Sequence, residues 1–303
     1  MRTVRVPGKV MLSGEYAVLH GGTAILVPVP RYLTVTEAQS TDPERQSPVI
    51  RAALDFPLEE TDEFEREHCL SGVSIDHSEF FGKDADGNLV KLGLGSSAAE
   101  AVGIIALRFE RSGLSWSENR DTIAAHADEV HRKVQGGIGS GADIAVCAYR
   151  EPISFRRNQG PCTTTPIQEP KYKIPMHLAW TGIPADTRRM VKDFDMWLSR
   201  RESAAADLVS NLVESSHEIA DVWFQSPVDV LFARLDRFCS ALQQCMDAAN
   251  ISHRLPIHDK LESWAKGYGG RAKPTGAGGG DMILLVGDLP VNELDMMVIA
   301  IRS

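Results

Sequence analysis

Cysteine is scarce in this chain and its number is odd. The five residues, Cys69, Cys147, Cys162, Cys239 and Cys245, contain no Cys-x-x-Cys pair. That excludes a disulfide framework and a thiolate zinc site, and it predicts ordinary buried thiols in a reduced, cytoplasmic protein. The nine histidines are scattered, with no His-x-x-x-His pair to present two ligands on one helix face, so none is assigned to a metal. Positive charge is in deficit: 32 Lys and Arg against 41 Asp and Glu give a net charge of −9. A chain of that sign does not bind nucleic acid through a diffuse basic surface, and any anion it holds must sit in a local pocket. No apolar run approaches the length that spans a bilayer, and Met-Arg-Thr-Val-Arg-Val-Pro-Gly-Lys lacks the apolar core of a signal peptide, so no membrane partner is expected. No solenoid repeat is present.

What is there is ordinary in composition and unusual in its glycines. The 303 residues, 43% hydrophobic and 24% charged, suit one large or two medium soluble domains with a substantial core. Lys91 to Gly103 reads Lys-Leu-Gly-Leu-Gly-Ser-Ser-Ala-Ala-Glu-Ala-Val-Gly, a glycine-rich turn feeding an apolar helix. Such a turn presents unpaired N–H groups at the positive end of a helix dipole, a phosphate-binding arrangement. The same residues also fit a plain serine-capped turn. The segment is not a Walker A loop, because no Gly-Lys-Ser/Thr ending follows, and it lacks the third glycine of a dinucleotide fingerprint. Two more glycine segments accompany it: Gly136 to Asp143, and Lys273-Pro-Thr-Gly-Ala-Gly-Gly-Gly-Asp281. Asp143 reads either as a first-turn helix residue or as a carboxylate near phosphates, and Lys9 as a solvated turn lysine or a phosphate contact.

Periodicity predicts short N-terminal strands over 3–6, 10–12, 23–29 and 31–37, with Pro7-Gly8-Lys9 breaking the first. Helices are expected at 48–54, 58–68, 98–111, 115–134 and after Thr187, and three long ones at 203–224, 227–250 and 256–268. Trp223, Phe224, Leu231, Leu235, Phe238 and Leu242 are core candidates. Residues 39–46 read as a loop. Residues 83–87, which share an Asp-x-Asp-Gly fragment with a calcium loop but lack its closing Glu, read as a hairpin turn. Residues 160–172 read as a linker, giving domains 1–165 and 166–303. Strands are expected at 72–81, 88–92, 152–156, 174–180 and 282–286, and a helix or strand at 291–301.

Pro7-Gly-Lys-Val-Met-Leu-Ser-Gly-Glu-Tyr-Ala-Val-Leu19, Gly93-Leu-Gly-Ser-Ser-Ala-Ala99 and the Lys273–Asp281 segment, in that order, resemble the three motifs of the GHMP kinase superfamily. Gly14-Glu15-Tyr16, which stands where mevalonate kinases usually carry Gly-Glu-His, the Gln135–Asp143 segment, Trp180-Thr181-Gly182 with Thr187 and the third motif are most similar to its phosphomevalonate kinases. The resemblance implies an α+β, two-lobed fold. Its N-terminal lobe would be like ribosomal protein S5 domain 2, its C-terminal lobe a ferredoxin-like α/β unit, with ATP and acceptor in the cleft between them. It implies that Gly93, Leu94, Gly95, Ser96, Ser97 and Ala98 cradle the ATP phosphates, with Ser97 at Mg²⁺, and that Lys9 and Asp143 flank the transferring group. Glu15, Tyr16, Ser140, Gly141, Thr181, Thr187, Gly276, Ala277, Gly278 and Gly279 would line the acceptor side.

The implied activity is ATP- and Mg²⁺-dependent phosphorylation of a small metabolite, phosphomevalonate to diphosphomevalonate, by a cytoplasmic monomer or homodimer. The alternatives are a mevalonate or sugar kinase of the same superfamily, or a noncatalytic sensor binding ATP and a metabolite. Arg31, Arg132, Lys133, Arg188 and Arg189 are candidate contacts for an acceptor phosphate.

Overall fold

The computed structural model describes residues 2–39, 47–68, 70–83, 86–137, 139–157, 162–167, 170–200 and 203–302. Cys69, residues 40–46 of the expected loop, Asp84 and Ala85 of the expected hairpin turn, Ile138, and residues 160, 161, 168 and 169 of the expected linker lie outside the described residues.

The first half of the chain runs β1 (Thr3–Ser13), β2 (Thr23–Glu37), α1 (Pro48–Leu54), α2 (Asp62–Glu67), β3 (Val73–Asp76), β4 (Phe81–Lys83), β5 (Leu89–Lys91), α3 (Ser96–Arg111), α4 (Arg120–Gln135) and α5 (Ala142–Tyr149). The second half runs β6 (Ile153–Arg156), β7 (Thr163–Pro166), β8 (Met176–Trp180), α6 (Thr187–Ser199), α7 (Ser203–Val222), α8 (Val228–Ala249), α9 (Pro256–Gly267), β9 (Arg271–Pro274), β10 (Met282–Val286) and β11 (Val298–Arg302). The chain divides into two compact units. One comprises Met1–Lys9, Pro28–Gly82 and Leu94–Pro152, the other Val10–Val27, Lys83–Gly93 and Ile153–Ser303.

Two expected strand breaks are absent. β1 runs unbroken through Pro7-Gly8-Lys9, so Lys9 stands within a strand and not on a turn. β1 is the edge of the sheet β1-β2-β6-β7, and on an edge a proline's missing N–H removes no ladder bond. β2 is likewise one strand of 15 residues rather than two. Its Thr23–Leu26 stretch pairs with β6 and its Thr34–Glu37 stretch with β3, and Pro28 and Pro30 fall between the two pairings.

In the first unit α3 is the core helix, buried from Ala98 to Phe109 apart from the half-exposed Glu100. Gly103 explains how close it lies to the strands: a Cβ there would stand 2.6 Å from Val35 Cγ2 and 3.0 Å from Val6 Cγ2. Packing thus outweighs the roughly 1 kcal/mol that glycine costs inside a helix. Ser47 caps α1, accepting from the Ile50 N–H, with Pro48 in the first turn. Arg108 ties α3 to the residues around α1 and α2: it donates to both Glu65 carboxylate oxygens, at 2.7 and 2.5 Å, and to the Ala53 and Phe56 carbonyls. α4 starts at Arg120, five residues later than the expected Ser115. Ser115 and Ser117 bond each other, and the Trp116 indole turns inward to donate to the Ala148 carbonyl, a burial that overrides local capping signals.

In the second unit the sheet order is β11-β8-β10-β9, antiparallel throughout. β10, Met-Ile-Leu-Leu-Val, is central and fully buried, as a continuous apolar run requires. α7 and α8 pack against each other, and α9 seals β9 through Leu261 and Ala265. The core candidates from Trp223 to Leu242 are all buried. Residues 163–166 of the expected linker form β7, pairing with β6. Residues 298–302 resolve the C-terminal ambiguity as a strand, and β9 draws Lys273 out of the expected glycine loop into the sheet.

Candidate active site

Lys9 leaves β1 with its Nζ 3.1 Å from Asp143 Oδ2; the lysine side chain is 13% exposed and the aspartate 39%. Three local features hold the pair. The Lys9 N–H donates to the Leu94 carbonyl at 3.0 Å, fastening the strand to the loop before α3. The lysine stem lies across Gly95, where a Cβ would stand 2.7 Å from Lys9 Cε. Gly95 also adopts φ +82°, a left-handed conformation that glycine accepts without strain, so this position excludes any other side chain twice over. The third feature is Cys147, one turn after Asp143 on α5, whose Sγ–H donates to the Pro7 carbonyl at 3.5 Å. Burial pushes that thiol up, so it serves as a brace between α5 and β1 and not as a nucleophile.

α3 begins directly after Gly95, which has no side chain to cap it, and among the described residues no side chain bonds its first N–H groups. These donors at Ser96, Ser97 and Ala98 remain for a ligand, at the positive end of a helix. The Leu94 and Ala98 side chains are buried, which leaves their backbones to contribute. α5 likewise starts after a left-handed glycine, Gly141 (φ +85°), and Ser140 Oγ accepts from the Ala142 N–H at 3.2 Å. A Cβ on Gly141 would stand 2.7 Å from Asp128 Oδ1, so α4 closes against this loop, and Arg132 lies 3.7 Å from the other Asp128 oxygen. Ser97 Oγ lies 3.0 Å from His131 Nε2, and the Gln135 side-chain amide 2.7 Å from the same nitrogen. The first unit therefore gathers Lys9, Leu94 to Ala98, Ser140, Gly141 and Asp143: an ammonium, two helix starts and one carboxylate. His131 was missed in the sequence; its i, i+4 spacing to Gln135, just before a glycine loop, was the available signal.

The second unit holds the remaining residues. Three glycines of the third segment, Gly278, Gly279 and Gly280, are held by close neighbours, whereas Gly276 faces open space. A Cβ on Gly278 would lie 2.5 Å from the His253 carbonyl oxygen, and one on Gly280 2.4 Å from that of Ile183. Gly279 donates to the His253 carbonyl at 2.7 Å, and Asp281 accepts from the Ala185 N–H at 3.2 Å. A Cβ on Gly93 would stand 2.4 Å from Asp281 Cγ. Beneath this loop Lys273 bonds Glu15, with both side chains almost wholly buried. The Tyr16 hydroxyl donates to the Ala277 carbonyl at 3.0 Å, its ring 4.8 Å from that of Phe194, and burial pushes its phenol up. Glu15 and Tyr16 thus sit under the Gly276–Gly279 loop. Thr181 exchanges bonds with Ile183, and Thr187 is exposed at the start of α6. Arg189 lies 3.7 Å from Asp193 on the same helix.

Residues 63–151, which include the α3 loop and Asp143, match the family described as GHMP kinases N terminal domain. The structure superposes on that of Streptococcus pneumoniae phosphomevalonate kinase in complex with phosphomevalonate and AMPPNP, with a TM-score of 0.76 at 18% identity, covering 95% of this chain and 92% of the other. The fold is that of the GHMP kinases. Among curated proteins similar to this chain, the phosphomevalonate kinase of Streptomyces sp. (strain CL190) is 26% identical over 91% of this chain and 87% of its own. The mevalonate kinase of Pyrococcus horikoshii is 27% identical over 90% and 85%. Among the described residues no helix is long and apolar enough to cross a membrane.

Proposed function

We propose that this chain is an ATP-dependent small-molecule kinase whose acceptor is phosphomevalonate. The observation that carries the reading is the Lys9–Asp143 pair, held at 3.1 Å over Gly95 beside the uncapped start of α3. Phosphoryl transfer asks mainly for positioning and for positive charge against the oxygens of the transferring group. The N–H groups of Ser96, Ser97 and Ala98 bind the ATP phosphates, and Lys9 supplies the mobile charge. A phosphate monoester, with a second pKa of about 6, is already a nucleophile at neutral pH. Asp143 then serves to aim Lys9, whereas for an alcohol acceptor it would orient or take the proton. Glu15, Tyr16, Thr181, Thr187, Ser140 and Gly141 are assigned to the acceptor on the family resemblance alone.

Mg²⁺ fits the donor set. Ser97 Oγ and the Asp143 carboxylate are hard oxygen donors, neither fully buried. Among the described residues no group of three or more His, Cys, Asp or Glu could hold an ion without the nucleotide. That suits a cation that keeps waters and arrives with phosphates, neutralising their charge once bound. Ser97 is the residue assigned to it.

The test is ATP consumption with Mg²⁺ against phosphomevalonate, mevalonate, homoserine and galactose. Selective turnover of phosphomevalonate is expected. Turnover of mevalonate alone, the acceptor that the Pyrococcus relative's name indicates, would reassign the pocket and keep the chemistry. Silence on every acceptor with ATP bound would replace the kinase by a sensor.

A further inference from the structure

We propose that His131 is a positioning residue for Ser97: it accepts a hydrogen bond from the hydroxyl and thereby turns the oxygen's lone pairs toward the nucleotide-bound cation. The inference rests on the placement of ATP and Mg²⁺ proposed above and adds a residue that the sequence motifs do not include. Ser97 is the second residue of α3, and its Oγ lies 3.0 Å from His131 Nε2. His131 and Gln135 stand four apart in the last turns of α4, on one face. With the Gln135 amide oriented as it is, its N–H donates to that same ring nitrogen at 2.7 Å. Nε2 is then the lone-pair end of a neutral imidazole, and its single lone pair is shared by two donors, the Gln135 N–H and the Ser97 hydroxyl.

A hydroxyl has one proton and two lone pairs. If the proton rotates freely, it spends part of its time aimed at the cation, where it repels. Anchored on His131, it leaves both lone pairs available. The ring nitrogen cannot replace this service with a charge, because a protonated His131 would donate to Ser97 and occupy one of those lone pairs. Gly136, left-handed at φ +68°, ends α4 directly after Gln135, so the two side chains are delivered by a helix end that stops at this point.

The experiment is a double-mutant cycle read by calorimetric binding of ATP to the full-length chain, with Mg²⁺ and with EDTA. His131→Leu and Ser97→Ala are each expected to weaken Mg·ATP binding about 10-fold while changing metal-free ATP binding less than about 2-fold, an effect in line with the loss of one charge-directed contact. The double variant should be no weaker than Ser97→Ala. His131→Gln, whose amide oxygen reaches the place of Nε2, should restore binding to within about 3-fold, and His131→Asn, too short to reach it, should not. Equal losses from His131→Leu in the wild-type and Ser97→Ala backgrounds would overturn the proposal. So would equal losses with and without Mg²⁺. If His131→Leu does not fold, the Gln and Asn variants decide by the same criterion. A wild type that binds Mg·ATP yet phosphorylates no acceptor removes the kinase reading and leaves the cycle readable.

Discussion

Replacing Lys273 by Met should unfold the second unit several kcal/mol more easily, and replacing Glu15 along with it should recover most of the loss. The Lys273 and Glu15 side chains are 2% and 1% exposed. Lys273 lies on β9 opposite Leu284 of the central strand β10 and is buried. The second Glu15 oxygen is buried without a hydrogen-bond partner, so the ammonium is the main compensation for that charge. Breaking a buried pair from one side costs about 3–5 kcal/mol, because a charge is left uncompensated, whereas replacing both ions by apolar groups is often neutral or stabilising by about 1–4 kcal/mol. Lys273→Met and Glu15→Gln should each fall in the first range, and Glu15→Met with Lys273→Met near or above wild type. Four of the five tryptophans, Trp180, Trp197, Trp223 and Trp264, belong to the second unit, so urea unfolding followed by tryptophan fluorescence reads the effect there. Single variants within about 1 kcal/mol of wild type would refute the reasoning, since surface pairs are worth no more than that.

Lys9→Met should lower kcat/KM by roughly 10²–10³-fold while ATP affinity changes little, the signature of a group that acts on developing charge; steady-state kinetics beside calorimetry checks both. Arg108→Ala should destabilise the first unit by about 3–5 kcal/mol, because it strands the Glu65 carboxylate and two carbonyls in a buried site; chemical denaturation followed by circular dichroism measures it. Burial, with Arg254 close by, lowers His253 and His258 from 6.5 to about 4. Both histidines are thus neutral when folded, and the unfolded chain takes up their protons first. Their contribution is complete above pH 6.5 and falls by about 1.4 kcal/mol per pH unit for each histidine as pH drops toward 4. Urea midpoints at pH 7, 5.5 and 4.5 should show this slope, and His258→Gln should flatten it.

Much of the fold was legible. Helices α7, α8 and α9 have long apolar stripes with terminal signals, and α3 announces itself by alanines after a glycine turn, so their positions follow from local chemistry. The errors fell where a distant partner decided. Pro7-Gly8-Lys9 reads as a strand break, yet β1 runs through it on the edge of its sheet. Ser115 reads as a helix cap, yet Trp116 is drawn inward by the Ala148 carbonyl. Lys273 reads as the first residue of a glycine-rich loop, yet it is a buried strand residue paired to Glu15.

The same division runs through the candidate site. Composition argued against a diffuse nucleic-acid surface and a disulfide framework, and glycines in three segments marked the places where backbone could approach something closely. Those are properties of residue type and spacing, and the sequence alone carries them. It does not carry which side chain meets which. That Lys9 lies across Gly95 to reach Asp143, and that Ser97 finds His131, depends on β1, α3, α4 and α5 closing on one another. Pairings between residues 34 to more than 130 positions apart are set by packing, which no local pattern encodes.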